Sequence, residues 1–424
     1  MPPRLKILAV AYDCSPLRGS EPGVGWGWVR ALAEHYDLWV ITAEHWREEI
    51  EPALEREPGL KERLRFVYVP RRWRGAIAIL EKFWPPAYLA TYKHQWQREA
   101  FRTAERLHRE VGFDLVHQIT YVGFRVPGWW WRLGIPFVWG PIGGLEQTPW
   151  HLLPAMGLRG AVHFACRNLW NEFDRRLAPG PREAFRRASA IIAATDGIRR
   201  EIQRFYGRDS FVIPEVGLPP HTAASPQPRV PQEPLKLIWS GSHIPRKALP
   251  VLFAALRRLP ERIHWTLEIL GSGSCTGRWK RQCRELGLEA RCHWWGEVPR
   301  DVALERMRAS HVLVISSLYD LTSTVTVEAL ACGLPVICPD LYGFRDAVTP
   351  ECGIRVSARS ARDLVEGMAQ AIMRLHEDEG LRRRMAEAAI RQARKYDWRD
   401  KAEEVSKLYE SAASRLLSEV SVDV

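Results

Sequence analysis

Residues 311–340, HVLVISSLYDLTSTVTVEALACGLPVICPD, gather side chains suited to an anionic, hydroxyl-rich ligand. An apolar strand runs into a polar loop carrying Asp320, and the loop runs into a helix whose first turns hold Thr322, Ser323, Thr324 and Thr326. A helix start offers backbone N–H groups without intrahelical partners and the positive end of the helix dipole, a cradle for a diphosphate. The hydroxyls of Thr322, Ser323 and Thr324 add donors. Glu328, one to two turns inside, can accept from both hydroxyls of a ribose, and Asp320 can hold the hydroxyls of a sugar. Gly333 caps the helix and Pro335 blocks its continuation. The plain alternative for this segment is an ordinary capped helix with an exposed glutamate.

A second candidate follows the first strand. In DCSPLRGSEPGVGWGWV, residues 13–29, Gly23, Gly25 and Gly27 would allow close backbone approach and positive φ before a helix. Their spacing is G-x-G-x-G, whereas a dinucleotide fold uses G-x-G-x-x-G with an acidic residue about 20 positions on. No Asp-x-Asp motif marks a metal site, and none of the eight cysteines forms a C-x-x-C pair. No metal ligands are expected. No pair of carboxylates arranged to flank a glycosidic bond is visible either.

The two acidic residues Asp320 and Glu328, followed by EALACGLPVI, resemble the signature of glycosyltransferase family 4, a retaining, nucleotide-sugar-dependent family of GT-B fold. The segment LKLIWSGSHIPRKAL, residues 235–249, is similar to that family's donor-phosphate segment. The resemblance implies that Lys247 and Arg246 grip the diphosphate and stabilise it as it leaves. It implies that Gly241, Ser242 and the amides around Thr322, Ser323 and Thr324 line the phosphates, while Glu328 holds the ribose. It puts Gly271, Glu297 and Val298 near the base. Gly23, Gly25, His117, Gly143 and Gly144 would line the N-terminal side of a cleft. The pattern departs from the family at four places. Asp320 stands for Glu, Leu321-Thr322-Ser323 for Gly-Phe-Gly, and Ser242 for Arg, and residues 140–144 contain no histidine. The donor implied is UDP- or GDP-linked, with no metal and no other cofactor.

Apolar runs that would position these residues lie at 5–11, 38–42, 64–69, 115–118, 137–140, 190–193 and 211–214, separated by amphipathic stretches such as 88–111. The same alternation restarts with strands at 235–240, 264–270, 291–295, 311–316 and 335–338, and a helix at 322–331. Between them Pro214, Pro219, Pro220, Pro226, Pro228, Pro231 and Pro234 read as a linker. Alternating strands and helices imply parallel sheets covered on both faces. The expected architecture is therefore α/β. An N-terminal Rossmann-like domain spans 1–214, a linker 215–234 and a C-terminal nucleotide-binding domain 235–395. A helix over 396–424 crosses back. By the resemblance this is GT-B, two doubly wound domains facing across a cleft.

With 424 residues, 46% hydrophobic and 26% charged, the chain has ordinary globular composition for two domains. Its net charge of +11 favours anionic partners. No zinc finger or aromatic RNA-recognition signature points to nucleic acid. Cysteines inside apolar runs fit a reducing cytoplasm, and no apolar run reaches the length of a membrane span. Arg71, Arg72, Trp73, Arg74, Lys82, Phe83 and Trp84 interleave cations with aromatics, and with Trp96, Trp129, Trp130, Trp131 and Arg132 they suit an anionic membrane surface or a sugar site. The expected acceptor is a glycan or lipid-linked hydroxyl, with the enzyme cytoplasmic and peripheral on the inner membrane face. Two other readings stay open: a catalytically silent nucleotide-sugar binder and a Rossmann-type NAD-dependent oxidoreductase.

Overall fold

The computed structural model describes residues 4–70, 94–219, 226–230 and 233–420, with the side chains of 94 and 415–420 left aside. The expectations placed on Arg71, Arg72, Trp73, Arg74, Lys82, Phe83 and Trp84 lie outside the described residues, as do Pro220, Pro231 and the start of the 88–111 helix. That helix is described from His94 to Val111.

The chain forms two compact units. The first comprises Met1–Glu146, Glu172–Gly217 and Trp398–Val424. Its described strands are β1 (Lys6–Ala11), β2 (Asp37–Ala43), β3 (Leu64–Val69), β4 (Leu115–Thr120), β5 (Phe137–Ile142), β6 (Ala190–Ala193) and β7 (Phe211–Val212). They make one parallel sheet in the order β3-β2-β1-β4-β5-β6-β7. Every residue of β4 and β5 is buried, as in a parallel sheet covered on both faces, so that β4 carries His117, Gln118 and Thr120 as buried polar side chains. The C-terminal helix Trp398–Val420 belongs to this unit. The Trp398 indole lies where a Cβ on Gly27 or Gly217 would come within 2.4 or 2.5 Å of it, so glycine is needed at both positions. Trp398 also meets Trp28 edge-on at 5.5 Å, and the buried Lys401 ammonium donates to the Pro214 carbonyl at 2.8 Å.

The second unit comprises Gln147–Asn171 and Leu218–Asp397. Its described strands are β8 (Leu235–Ser240), β9 (Trp265–Leu270), β10 (Cys292–Gly296), β11 (Val312–Val314), β12 (Val336–Pro339) and β13 (Gly353–Val356). All are parallel, in the order β10-β9-β8-β11-β12-β13. This is the doubly wound order, with its switch point between β8 and β11. β13 has no counterpart among the expected strands, since Gly-Ile-Arg-Val is too short and too polar to signal one.

Two expected boundaries need correction. Residues 147–171 do not belong with the rest of 1–214. Leu152, Leu153, Met156 and Phe164 lie in the second unit's core, and Asn168 bonds both backbone groups of Thr148, at 2.7 and 3.0 Å. Nor is 215–234 a free linker where it is described. Val216 and Leu218 are buried, Leu218 bridges Asp397, and the Gln227 carbonyl accepts from Arg382 at 2.8 Å. Its prolines break regular structure, yet Val216 and Leu218 are packed away while Val230 stays exposed. Among the described residues, no helix is long and apolar enough to cross a membrane.

Candidate active site

In the second unit the loops after β8 and β11 meet at the switch point, where open parallel sheets bind ligands beyond their strand ends. Glycines make that meeting close. A Cβ on Gly271, which has φ +109°, would fall 2.1 Å from the Gly241 carbonyl oxygen. One on Gly273 would fall 2.7 Å from the His243 carbonyl oxygen. The loop after β9 is thereby pressed onto the loop after β8, and the Gly271 amide donates to the Gly296 carbonyl at 2.6 Å, tying in the end of β10. Gly241 has a different neighbour. The Lys247 stem passes over it, with Cε, Cδ and Nζ 3.6–3.8 Å from where a Cβ would stand.

Lys247 closes the short 3-10 turn Pro245–Lys247, and its ammonium reaches the Asp320 carboxylate at 2.5 Å. Arg246 approaches the other carboxylate oxygen at 3.3 Å and donates to the Tyr319 carbonyl at 2.8 Å. Backbone pairing locks the two loops together, with the Leu318 amide donating to the Arg246 carbonyl at 2.8 Å. Ser316 donates to the Lys247 carbonyl at 2.8 Å and accepts from the Trp239 indole at 3.0 Å. Two cations thus face one carboxylate. Burial alone would push Asp320 up, but Lys247 and then Arg246 outweigh it and hold the carboxyl below its usual range.

The helix Thr324–Ala331 begins two residues later than the expected 322, because Ser323 takes φ +66° and ψ +117°. Thr322 is buried against Gly343, where a Cβ would come within 2.8–2.9 Å of it, so its hydroxyl faces protein. The first N–H groups of the helix belong to the turn that also carries Ser323 and Thr324. Glu328 is nearly buried on this helix and accepts from the Arg300 guanidinium at 2.7 Å. Burial pushes its carboxyl above the usual range, and Arg300, itself half exposed, offsets this only in part. At the strand ends beyond, Ser272 donates to the exposed Glu297 at 3.3 Å, with Val298 half-buried beside it. Ser242 is exposed in its loop.

The first unit corrects two expectations. Gly23, Gly25 and Gly27 lie inside the helix Ser20–Leu32, and none has positive φ. They are needed for close packing: a Cβ on Gly23 or Gly25 would fall 2.4 or 2.0 Å from the carbonyls of Arg18 or Asp13. His117 does not line a cleft. It points into the core of the unit from mid-β4 and is fully buried, with one ring nitrogen 2.6 Å from the Tyr409 hydroxyl and the other 2.8 Å from the Gly140 carbonyl. Burial pushes its pKa down to about 4, so it stays neutral. Gly143 pairs with Gly123 and is buried, while Gly144, at φ +84°, is half exposed.

Arg300, Ser316 and Tyr319 were not anticipated. Nothing in the sequence ties Arg300 to Glu328, 28 residues away, and Ser316 is hidden at the end of an apolar strand. No group of three or more His, Cys, Asp or Glu side chains placed to hold a metal ion occurs among the described residues.

Residues 221–392 match the family model for glycosyl transferases group 1. A D-inositol 3-phosphate glycosyltransferase of Thermomonospora curvata is 26% identical over 251 residues, covering 53% of this chain and 57% of that protein. The chain spans about half the length of the curated relatives it matches. Among solved structures, sucrose-phosphate synthase from Thermosynechococcus elongatus superposes with a TM-score of 0.66 at 18% identity, over 97% of this chain and all of that one. The Anabaena protein HepE, solved with UDP, gives 0.63 at 16% identity, over 96% of this chain and all of that one. Residues 221–392 are thus similar to the group 1 glycosyl transferases, and the two Rossmann-like units have the GT-B fold.

Proposed function

We propose that the protein is a retaining glycosyltransferase of family 4, moving a sugar from a nucleotide-diphosphate donor to a hydroxyl of a lipid-linked or growing polysaccharide. One observation carries the donor half of this reading. Lys247 and Arg246 set two positive charges against the single carboxylate of Asp320, beside the start of the helix Thr324–Ala331 and at the switch point of the sheet. A surplus of positive charge there strengthens its hold on a diphosphate as the C1–O bond breaks and charge grows on the leaving oxygen. The acceptor oxygen bonds to the anomeric carbon on the face that the diphosphate leaves, and its proton passes to a departing phosphate oxygen. These cations and the helix dipole supply what a divalent ion would otherwise supply, so the reaction runs without metal. Glu328 holds the ribose hydroxyls, and Asp320 orients the sugar from between its two cations.

The reading draws further support from relatives. HepE is described with UDP-glucose, which favours a UDP-linked donor here. The named relatives include a phosphatidyl-myo-inositol mannosyltransferase, which favours a lipid-linked acceptor and a place on the cytoplasmic membrane face. The test is a thermal-shift screen across UDP, GDP, ADP and their sugars, with EDTA present. One nucleotide class raises the melting temperature of the wild type and not that of Glu328→Ala. No shift with any of them would refute the reading.

A further inference from the structure

The helix Gly157–Leu177 is amphipathic with its polarity reversed. The side turned to the protein carries Gly160, Phe164, Asn168, Asn171 and Arg175. Polar anchors fix that rotation: Asn168 holds both backbone groups of Thr148, and Arg175 pairs with Glu172 and Glu201. Gly160 lies where a Cβ would come 2.6 Å from Pro245, which leaves no room for another face to turn inward.

The outward side holds the apolar residues, at helical spacings of three and four. Leu158 is 80% exposed, Val162 55%, Leu169 64%, Trp170 55%, Phe173 54% and Leu177 63%. Together they expose on the order of 700 Å² of apolar surface, above the ~300–600 Å² of the largest patch on a typical monomer. At a rise of about 1.5 Å per residue the stripe is roughly 28 Å long. The other exposed residues of this side are Cys166 and the basic Arg159, His163 and Arg176; no acidic residue is among them. Arg159 and His163 make no ion pair among the described residues. Glu172 is engaged by Arg175 and Arg176, and Asp174 by Arg125.

We propose that this face docks the chain on an anionic lipid bilayer, the helix lying in the headgroup plane with its apolar side in the acyl boundary. Leucine, tryptophan and phenylalanine beside the exposed Arg159, with Glu172 and Asp174 already paired to arginines, match that interface in both solubility and charge. A second copy of the helix would set Arg159 against its own kind, while the carboxylate at the edge of the stripe, Glu172, is already held by Arg175 and Arg176. The charge pattern therefore favours lipid over self-association. The net charge of +11 acts in the same direction at longer range. This inference does not depend on the sugar-transfer reading.

Cys166 is the one exposed cysteine of the eight, so a thiol-reactive, polarity-sensitive fluorophore reports from the middle of the stripe. Vesicles of phosphatidylglycerol and phosphatidylcholine should brighten and blue-shift the label on the full-length chain, and phosphatidylcholine alone should do so far less. In co-sedimentation of unlabelled protein, Leu158→Gln/Leu169→Gln should weaken binding at least about tenfold. Arg159→Gln should weaken it about fivefold, since one cation near such a surface is worth ~1 kcal/mol. Both variants should keep the wild-type melting temperature and nucleotide response, because the side chains they change are exposed. Emission that stays aqueous with anionic vesicles, or variants that bind as the wild type does, would overturn the proposal. So would a dimer in sedimentation that the double leucine variant dissolves, which would assign the face to a second copy.

Discussion

Ser323 provides a test of the active-site backbone that needs no substrate. The glycosyltransferase pattern has glycine here, and the chain keeps the glycine-like conformation, φ +66° and ψ +117°, with a side chain attached. Holding a non-glycine residue in such a region costs ~1–3 kcal/mol. The greater freedom of glycine in the unfolded chain takes back ~0.5–1 kcal/mol. Ser323→Gly should therefore stabilise the second unit by ~0.5–2 kcal/mol, a rise of roughly 2–6 °C for a unit of this size. Ser323→Ala is the control, because it keeps the Cβ and its strain while removing the same hydroxyl. Calorimetry of both variants separates the two effects. If Ser323→Gly proves no more stable than Ser323→Ala, the strained turn and the helix start built on it are wrong.

Four further outcomes are expected. Lys247→Ala should lower kcat of transfer by ~10²–10³ with a smaller change in KM, since its contact strengthens as the diphosphate leaves. Glu328→Gln should weaken nucleotide binding at least about tenfold, read by calorimetry, without loss of stability at pH 7. Its carboxyl is raised by burial, so the charged form already disfavours the fold as pH rises through the folded pKa. Asp320 is the opposite case: its folded pKa is depressed, so its contribution is full above the unfolded value of 3.8 and lost as pH falls below that. In urea melts below pH 4 the wild type should lose its advantage over Asp320→Asn. His117 and His311 are both pushed down to about 4, from the ordinary 6.5 of a histidine, mainly by burial. Each adds stability that is full above pH 6.5 and declines toward pH 4 by up to ~1.4 kcal/mol per unit, and His117→Gln should flatten that slope.

Elements with a local signal were legible in the sequence. Continuous apolar runs such as 235–240 gave the parallel strands, because burial on both faces demands them. The segment from Asp320 to Pro335 was readable because strand end, hydroxyl cluster and glycine cap follow one another within one turn of the fold. What escaped depends on three-dimensional neighbours. The glycines at 23, 25 and 27 suggested positive φ, whereas the structure uses them as helical residues under Asp13 and Trp398, partners that no spacing reveals. His117 looked like a strand-end residue because the strand was ended at 118. It runs to Thr120, which puts the imidazole in mid-strand against Tyr409, 292 residues away. The excursion of 147–171 into the second unit was invisible for a related reason. Its helix, Gly157–Leu177, buries Asn168 and exposes Leu158, so its pattern contradicts its packing.

The central claim is that a nucleoside diphosphate binds where Lys247, Arg246 and the helix beginning at Thr324 converge. Titration calorimetry of UDP and GDP in EDTA, on the wild type and on Lys247→Ala and Glu328→Ala, tests it most directly. Tight binding to the wild type that falls at least about tenfold in each variant is the result expected. Binding that both variants retain, or that appears only when a divalent ion is restored, would contradict it.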